Sequence, residues 1–401
     1  MNALTAPEKK LLLALALLQF VHIVDFMLVM PLGPNLMHDF GIGPDHFSWI
    51  VSAYSVSGGV VGLLAAGFLD RFNRRTALLI AYSGFVLGTA ACAVAPSFPM
   101  LLLARATAGV FGGVLGAMVY TIIGDVVPMV RRGTAMGLVM AAFSLASIVG
   151  VPSGLAIANL WGWRAAFGVL AVVCIPGGFF AASVVPALRD HILAAGERRP
   201  IGPVLAYELL RDEPGARYAL VLMVCLMLGQ FTVISFVSPA MVANGVLTRE
   251  QLPLMYLLGG AFTTVSNPYI GRLADRRGAY RVFRVMAVAA MLSLMLTTLT
   301  LPLPLPLVLG VSTLFFVTVS GRMGPAITLI TGSVAPKRRG ALMVLNTSVQ
   351  QLASGFAAFL AGQIVVQGAG GRLERYPLVG LLAMAFSILA ILVAGQLQPK
   401  A

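Results

Sequence analysis

The stretch Ala66-Gly67-Phe68-Leu69-Asp70-Arg71-Phe72-Asn73-Arg74-Arg75 returns later in the chain as Gly271-Arg272-Leu273-Ala274-Asp275-Arg276-Arg277-Gly278, with Asp70 and Asp275 separated by 205 positions. A second pair keeps nearly the same step: Pro128-Met129-Val130-Arg131-Arg132-Gly133 and Pro336-Lys337-Arg338-Arg339-Gly340, whose terminal glycines lie 207 positions apart. Each segment follows an even-numbered member of a series of apolar runs. Two matched loops at one offset therefore define a duplicated unit.

The runs between these loops fix what is duplicated. Of 401 residues, 59% are apolar and 10% charged, against roughly 25% charged in an ordinary soluble domain. The apolar residues gather into stretches of about 20 or more, long enough to cross ~30 Å of hydrocarbon at ~1.5 Å per residue. Their positions are 11–32, 47–69, 76–95, 100–127, 134–158 and 165–186, then 217–243, 253–271, 282–301, 306–332, 341–367 and 377–396. The expected fold is an all-α integral membrane protein: twelve transmembrane helices in two pseudo-symmetric six-helix bundles. The expected domains are 1–186, a cytoplasmic linker 187–216, and 217–401. The run that begins after Lys9 and Lys10 continues to Leu32 without a small-residue cleavage site, so it reads as the first span and not as a signal peptide.

A formal net charge of +13 raises the question of a nucleic-acid partner, and the placement of the 27 basic residues answers it. Nineteen lie in the N-terminus, alternate loops and the C-terminus, four in the opposite loops and four within spans, of which Arg217 and Arg284 stand at the ends next to those alternate loops. That is the positive-inside pattern, which puts both termini in the cytoplasm and excludes nucleic acid as the reason for the charge. Arginine outnumbers lysine 23 to 4, a bias of bacterial GC-rich genomes, so the expected location is a bacterial inner membrane. Cys92, Cys174 and Cys225 stand singly in apolar spans and read as packing residues, with no metal-ligand spacing. No glycine is followed by lysine, so the phosphate-cradling loop of ATP-driven pumps is absent. Four scattered histidines do not supply the clustered acid, base or nucleophile of a membrane-embedded enzyme, and no catalytic residue or cofactor is expected. A passive channel is the other reading outside active transport.

On these residues the chain resembles the major facilitator superfamily, and within it the twelve-helix drug:proton antiporters and their sugar-efflux relatives. The family pattern Gly-x-Leu-Ala-Asp-Arg-x-Gly-Arg-Arg is met by Asp70, Arg71, Arg74 and Arg75, with Ala66 and Asn73 where the family has glycines. The second copy keeps Gly271, Leu273, Ala274, Asp275, Arg276 and Gly278 and lacks the paired basic ending. Leu101 to Gly113 is similar to the family's proton-relay segment, with Arg105 as its intramembrane arginine and Ala108 in place of the usual glutamine. Gly150, Pro152 and Gly154 form a degenerate version of the antiporter segment. The resemblance implies a monomeric secondary transporter of a small-molecule substrate, coupled to protons and surrounded by membrane lipid. Proton-driven export of a drug, sugar or metabolite is the first expectation; an importer or uniporter is the alternative.

Ionisable groups inside spans are costly and mark function. Asp25 lies fifteen residues after Lys10, so it stands ~22 Å up its span. Arg105 lies six residues after Pro99, ~9 Å from the opposite end of its own. The two share a layer, and the expectation is that they interact, with Asp25 carrying the coupling proton and Arg105 setting its readiness to do so. A static ion pair holding the first and fourth spans together is the plainer reading. His22, three residues before Asp25 on the same face, either extends the proton path or bonds a neighbouring helix. Tyr54 and Gln230 fall near the same depth, as substrate contacts or as interhelical hydrogen bonds. Arg322, in the inner third of the tenth span, reads as a structural or gating arginine or as a contact to an anionic substrate. Asn346 and Gln350 are its candidate neutral partners. Asp70, Arg71, Arg74, Arg75, Asp275 and Arg276 are expected to gate the cytoplasmic side through charge-assisted contacts. Small residues four apart, Gly84 with Gly88, Gly109 with Gly113 and Gly112 with Gly116, let helices approach closely.

Overall fold

The computed structural model describes residues 5–65, 72–188 and 202–397. Asp70 and Arg71 of the expected gate, and most of the linker, lie outside the described residues. Apolar sequence becomes helix because, in hydrocarbon, a helix satisfies its own backbone N–H and C=O groups. In chain order the helices of the first half are α1 (Ala6–Leu28), α2 (Gly33–Phe40), α3 (Pro44–Ala65), α4 (Arg74–Val94), α5 (Phe98–Val126), α6 (Met129–Leu145), α7 (Val151–Trp161) and α8 (Trp163–Val184). Then come α9 (Gly202–Asp212), α10 (Pro214–Ile234), α11 (Val237–Ala243), α12 (Leu252–Arg277), α13 (Ala279–Thr298), α14 (Leu305–Gly321), α15 (Met323–Gly332), α16 (Arg339–Ile364) and α17 (Tyr376–Gly395).

Ten helical stretches among the described residues are long and apolar enough to cross a membrane. The eighth and eleventh crossings are α12 and α16, each of 26 residues. Their hydropathy is diluted by Thr263, Thr264, Ser266 and Asn267 in one and Asn346, Thr347, Ser348, Gln350 and Gln351 in the other. Together these make the twelve crossings that the sequence spells out.

Several crossings are broken where their residues require it. Pro152 has no N–H for the carbonyl four residues back, and a π-turn over Ala146–Gly150 widens the helix between α6 and α7 to accommodate it. The tenth crossing parts at Arg322, between α14 and α15. The seventh parts at Ser235-Phe236, between α10 and α11. The expected eleventh span, 341–367, ends early as helix at Ile364. Val366-Gln367 (β1) instead pairs antiparallel with Leu373-Glu374 (β2), across a turn in which Gly370 and Gly371 take φ of 75° and 79°. α2 was not foreseen from sequence; it lies between the expected spans 11–32 and 47–69.

The chain divides into two compact units, residues 1–28 with 53–204, and 29–52 with 205–401. In the first, α4 neighbours α5 and α8, and α1 neighbours α6 and α8. In the second, α13 neighbours α14 and α17, and α10 neighbours α16 and α17. Counted as crossings, third against fourth and sixth, and first against fifth and sixth, recur in both, so the duplicated sequence builds a duplicated packing plan. Within the second unit residues 29–52 are held by Phe47 edge-on to Phe236, ring centroids 5.6 Å apart, and by Ser52 Oγ donating to Gly355 O at 2.7 Å.

The spaced glycines do the packing expected of them. A Cβ on Gly88 would lie 2.6 Å from the backbone nitrogen of Ala108, and one on Gly113 would lie 2.7 Å from Gly58 Cα. Backbone cannot rotate away as a side chain can. Gly113→Val is therefore expected to cost about 1–3 kcal/mol, read as a lower melting temperature of the detergent-purified protein; an unchanged melting curve would mean that α3 and α5 are not in contact there.

Candidate functional site

The first unit places its charges on three helices. On α1, His22 and Asp25 are one turn apart and both buried. On α5, Arg105, Gly109 and Gly112 follow at helical spacing, so a fully buried cation stands beside a bare glycine face. Tyr54 of α3 lies on that face: a Cβ on Gly112 would sit 2.5 Å from Tyr54 Oη and 3.1 Å from His22 Nε2.

This packing joins Asp25 and Arg105. Arg105 Nη1 donates to Asp25 Oδ2 at 2.7 Å, and the two side chains are 0% and 1% exposed. The second carboxylate oxygen, Oδ1, accepts from Thr89 Oγ1 on α4 at 3.1 Å. The guanidinium lies over the Tyr54 ring, 4.4 Å from its centroid, with Phe167 of α8 on another side at 5.9 Å. A desolvated cation on an aromatic face gains about 2 kcal/mol. The arrangement pairs a buried carboxylate with one cation and one hydroxyl, and removing the cation would leave a buried charge without its partner.

Thr89 was missed from the sequence. It lies thirteen residues after Thr76 on the fourth helix, and the depth arithmetic that ranked the charged groups puts this hydroxyl ~20 Å up, in the Asp25 layer. His22 forms none of the hydrogen bonds expected of a structural histidine: neither ring nitrogen has a partner among the described residues, and its neighbours are the Tyr54 and Phe85 rings at 6.2 and 5.8 Å. Tyr54 Oη is likewise buried without a partner.

Gly150 and Gly154 meet the same helix on a neighbouring face. A Cβ on Gly150 would collide with Val24 Cγ2, and one on Gly154 would lie 2.7 Å from Leu28 Cδ1. Pro152, between them, sits in the first turn of α7. The helix that carries Asp25 is thus wedged against a glycine-lined, π-widened turn.

The second unit differs. Gln230 stands 205 positions after Asp25, the same step that separates Asp70 from Asp275, so a neutral amide occupies the place of the carboxylate. Its Oε1 is buried and unpartnered. Arg322 is fully buried, with Nη1 donating to Ser387 Oγ of α17 at 3.0 Å and with Nε and Nη2 lacking any acceptor. Asn346 Oδ1 is buried without a partner and Gln350 is half-buried, so neither is brought into a hydrogen bond with Arg322.

Of the expected gate, Arg74 Nε donates to Asp125 Oδ2 at 3.1 Å and Arg75 Nη2 to Ala182 O at 2.6 Å, both within the first unit. Asn73 caps α4 by accepting from Arg75 N. Asp275 and Arg276 are exposed at the end of α12. A more regular pair was not anticipated: Arg131 bonds Glu8 at 2.9 Å, and Arg338 bonds Asp212 at 3.1 Å. Arg131 and Arg338 hold the same place in the second repeated loop, 207 positions apart. Each ties that loop to the start of its unit's first crossing. The signal was present in the repeat, but neither Glu8 nor Asp212 was singled out from the sequence.

A twelve-crossing helical chain with a repeated packing plan and charges buried in its spans is a multi-pass membrane transporter of small solutes. The model of the Major Facilitator Superfamily matches residues 15–358, and the chain belongs to that family. It is 27% identical over 403 residues to the Uncharacterized MFS-type transporter YwfA of Bacillus subtilis (strain 168), covering 98% of this chain and 95% of that one. To the Chloramphenicol resistance protein of Streptomyces lividans it is 30% identical over 277 residues, 68% of this chain and 67% of the relative. Among solved structures it is similar to the nucleoside transporter NupG, with a TM-score of 0.76 at 12% identity over 97% and 100% of the two chains. The xylose transporter XylE from E. coli gives 0.74 at 16% identity over 98% of each. At those identities the structural likeness is one of fold.

Proposed function

We propose that this protein exports a small organic solute across a bacterial inner membrane in exchange for protons, with both termini in the cytoplasm and the monomer as the working unit. The observation that carries the reading is the buried pair of Asp25 and Arg105. A link that only held α1 to α5 would be served as well by apolar side chains, whereas a lone deep carboxylate with one cation and one hydroxyl on it is a group that can change its proton. When Arg105 is drawn away the dry carboxylate takes up a proton, and when it returns the proton leaves. The halves 1–186 and 217–401, joined by 187–216, alternate about the solute, with Asp70, Arg71, Arg74, Arg75, Asp275 and Arg276 at the cytoplasmic gate. Gly150, Pro152 and Gly154 give α1 a surface to slide on. Tyr54, Gln230, Asn346 and Gln350 are the proposed neutral solute contacts. Export, over import, is favoured by the likeness to a relative named for chloramphenicol resistance.

His22 belongs to the proton route in this reading, since both of its ring nitrogens lack protein partners. His22→Gln is expected to slow proton-driven turnover several-fold without weakening solute binding; an unaltered rate and pH profile would remove it from the route. The test of the whole reading is solute movement in proteoliposomes. Drug-panel solutes should leave the vesicle lumen faster under an inward proton gradient, and a protonophore should abolish the acceleration. Movement indifferent to the gradient would identify a uniporter.

A further inference from the structure

Arg322 holds a full charge inside the second unit with no counter-charge to match it. The acidic residues of this unit are Asp39, Asp45, Glu208, Asp212, Glu213, Glu250, Asp275 and Glu374. None of them is buried and none bonds the guanidinium of Arg322, which is 0% exposed. The contrast with Arg105 is direct: that guanidinium has Asp25 at 2.7 Å, and this one has a single serine hydroxyl. A buried cation without a partner is strongly unfavourable, so its retention calls for an anion that the unit does not itself place beside it.

The pattern of used and unused donors says which kind. Ser387 takes Nη1 and thereby fixes the plane of the guanidinium. The free donors are Nε and Nη2, the two parallel N–H groups along one edge, and these match the two oxygens of a carboxylate side by side. Arg322 also stands where the tenth crossing breaks, between α14 and α15. The carbonyls freed by that break do not take up the spare donors. One positive charge in a dry surround favours a monoanion, since a dianion would bring a second charge with nothing to offset its loss of water.

We propose that Arg322 anchors the carboxylate of an organic monoanion, which makes monocarboxylates with an apolar body the solute class of this transporter. This rests on the chain being a solute exporter, but the site itself is tested without any gradient. Thermal unfolding of the full-length protein in detergent is followed with sodium benzoate, with benzamide, and with sodium chloride and inorganic phosphate at matched ionic strength. Saturating benzoate is expected to raise the midpoint by roughly 2–4 °C, and benzamide, chloride and phosphate to leave it in place. Arg322→Gln removes the benzoate shift, and Arg322→Lys, which keeps the charge but not the paired edge, keeps less than half of it. The proposal is overturned if benzoate gives no shift in the native protein, if chloride or phosphate matches it, or if the shift survives in Arg322→Gln. A benzoate shift that depends on Arg322 in a protein showing no proton-driven transport would uphold the anion site and remove the coupling mechanism alone.

Discussion

Asp25→Asn is expected to abolish uphill export while leaving solute exchange at equal concentrations intact. A proton falling through ~100 mV and one pH unit releases about 2.3 plus 1.4 kcal/mol, enough to sustain a solute ratio of a few hundred. With no titratable group at position 25 that ratio collapses to one. The substitution suits the site because the amide oxygen can still accept from Arg105 or Thr89, which lie 2.7 and 3.1 Å from the carboxylate oxygens. The repeat sharpens the expectation, since the second half carries Gln230 at the equivalent position and offers no replacement carboxylate. Counterflow of labelled solute in proteoliposomes separates loss of coupling from loss of the protein. A variant that still concentrates solute against its gradient would take Asp25 out of the mechanism.

The second large effect is on stability. Arg105→Ala strips the cation from a fully buried carboxylate, leaves Thr89 as its one remaining side-chain donor, and removes the group stacked 4.4 Å above Tyr54. Breaking a buried pair from one side costs about 3–5 kcal/mol, which in a chain of 401 residues corresponds to a fall in melting temperature of roughly 5 °C. The double variant Asp25→Asn with Arg105→Gln should melt above Arg105→Ala, because two neutral amides leave no stranded charge. Melting of Arg105→Ala indistinguishable from the native protein would mean that the pair carries no weight in the fold.

The architecture was legible because its determinants are periodic and local. Span length, the basic loops and the 205- and 207-residue steps are written along the chain and need no knowledge of which side chains meet. Depth arithmetic placed Asp25 and Arg105 in one layer, and the structure brings them into contact. The same arithmetic was silent on direction around the helix axis, so it could not show that Asn346 and Gln350 leave Arg322 unbonded, or that Arg322 uses Nη1 alone. It also ranked ionisable groups above hydroxyls, which is why Thr89 and Ser387, the two hydroxyls that touch the buried charges, went unremarked. The Glu8–Arg131 and Asp212–Arg338 pairs escaped for another reason. Each joins residues more than 100 positions apart, and only folding puts the start of a half beside its fourth loop.

What the account requires is that solute and proton exclude one another through Asp25. The direct measurement is proton release on solute binding, made with a pH-indicator dye in lightly buffered detergent solution at fixed temperature. Saturating solute should release about one proton per chain from the native protein, one being the number of deep carboxylates available to give it, and none from Asp25→Asn. Solute binding that releases no proton from the native protein, or the same quantity from both, would contradict it.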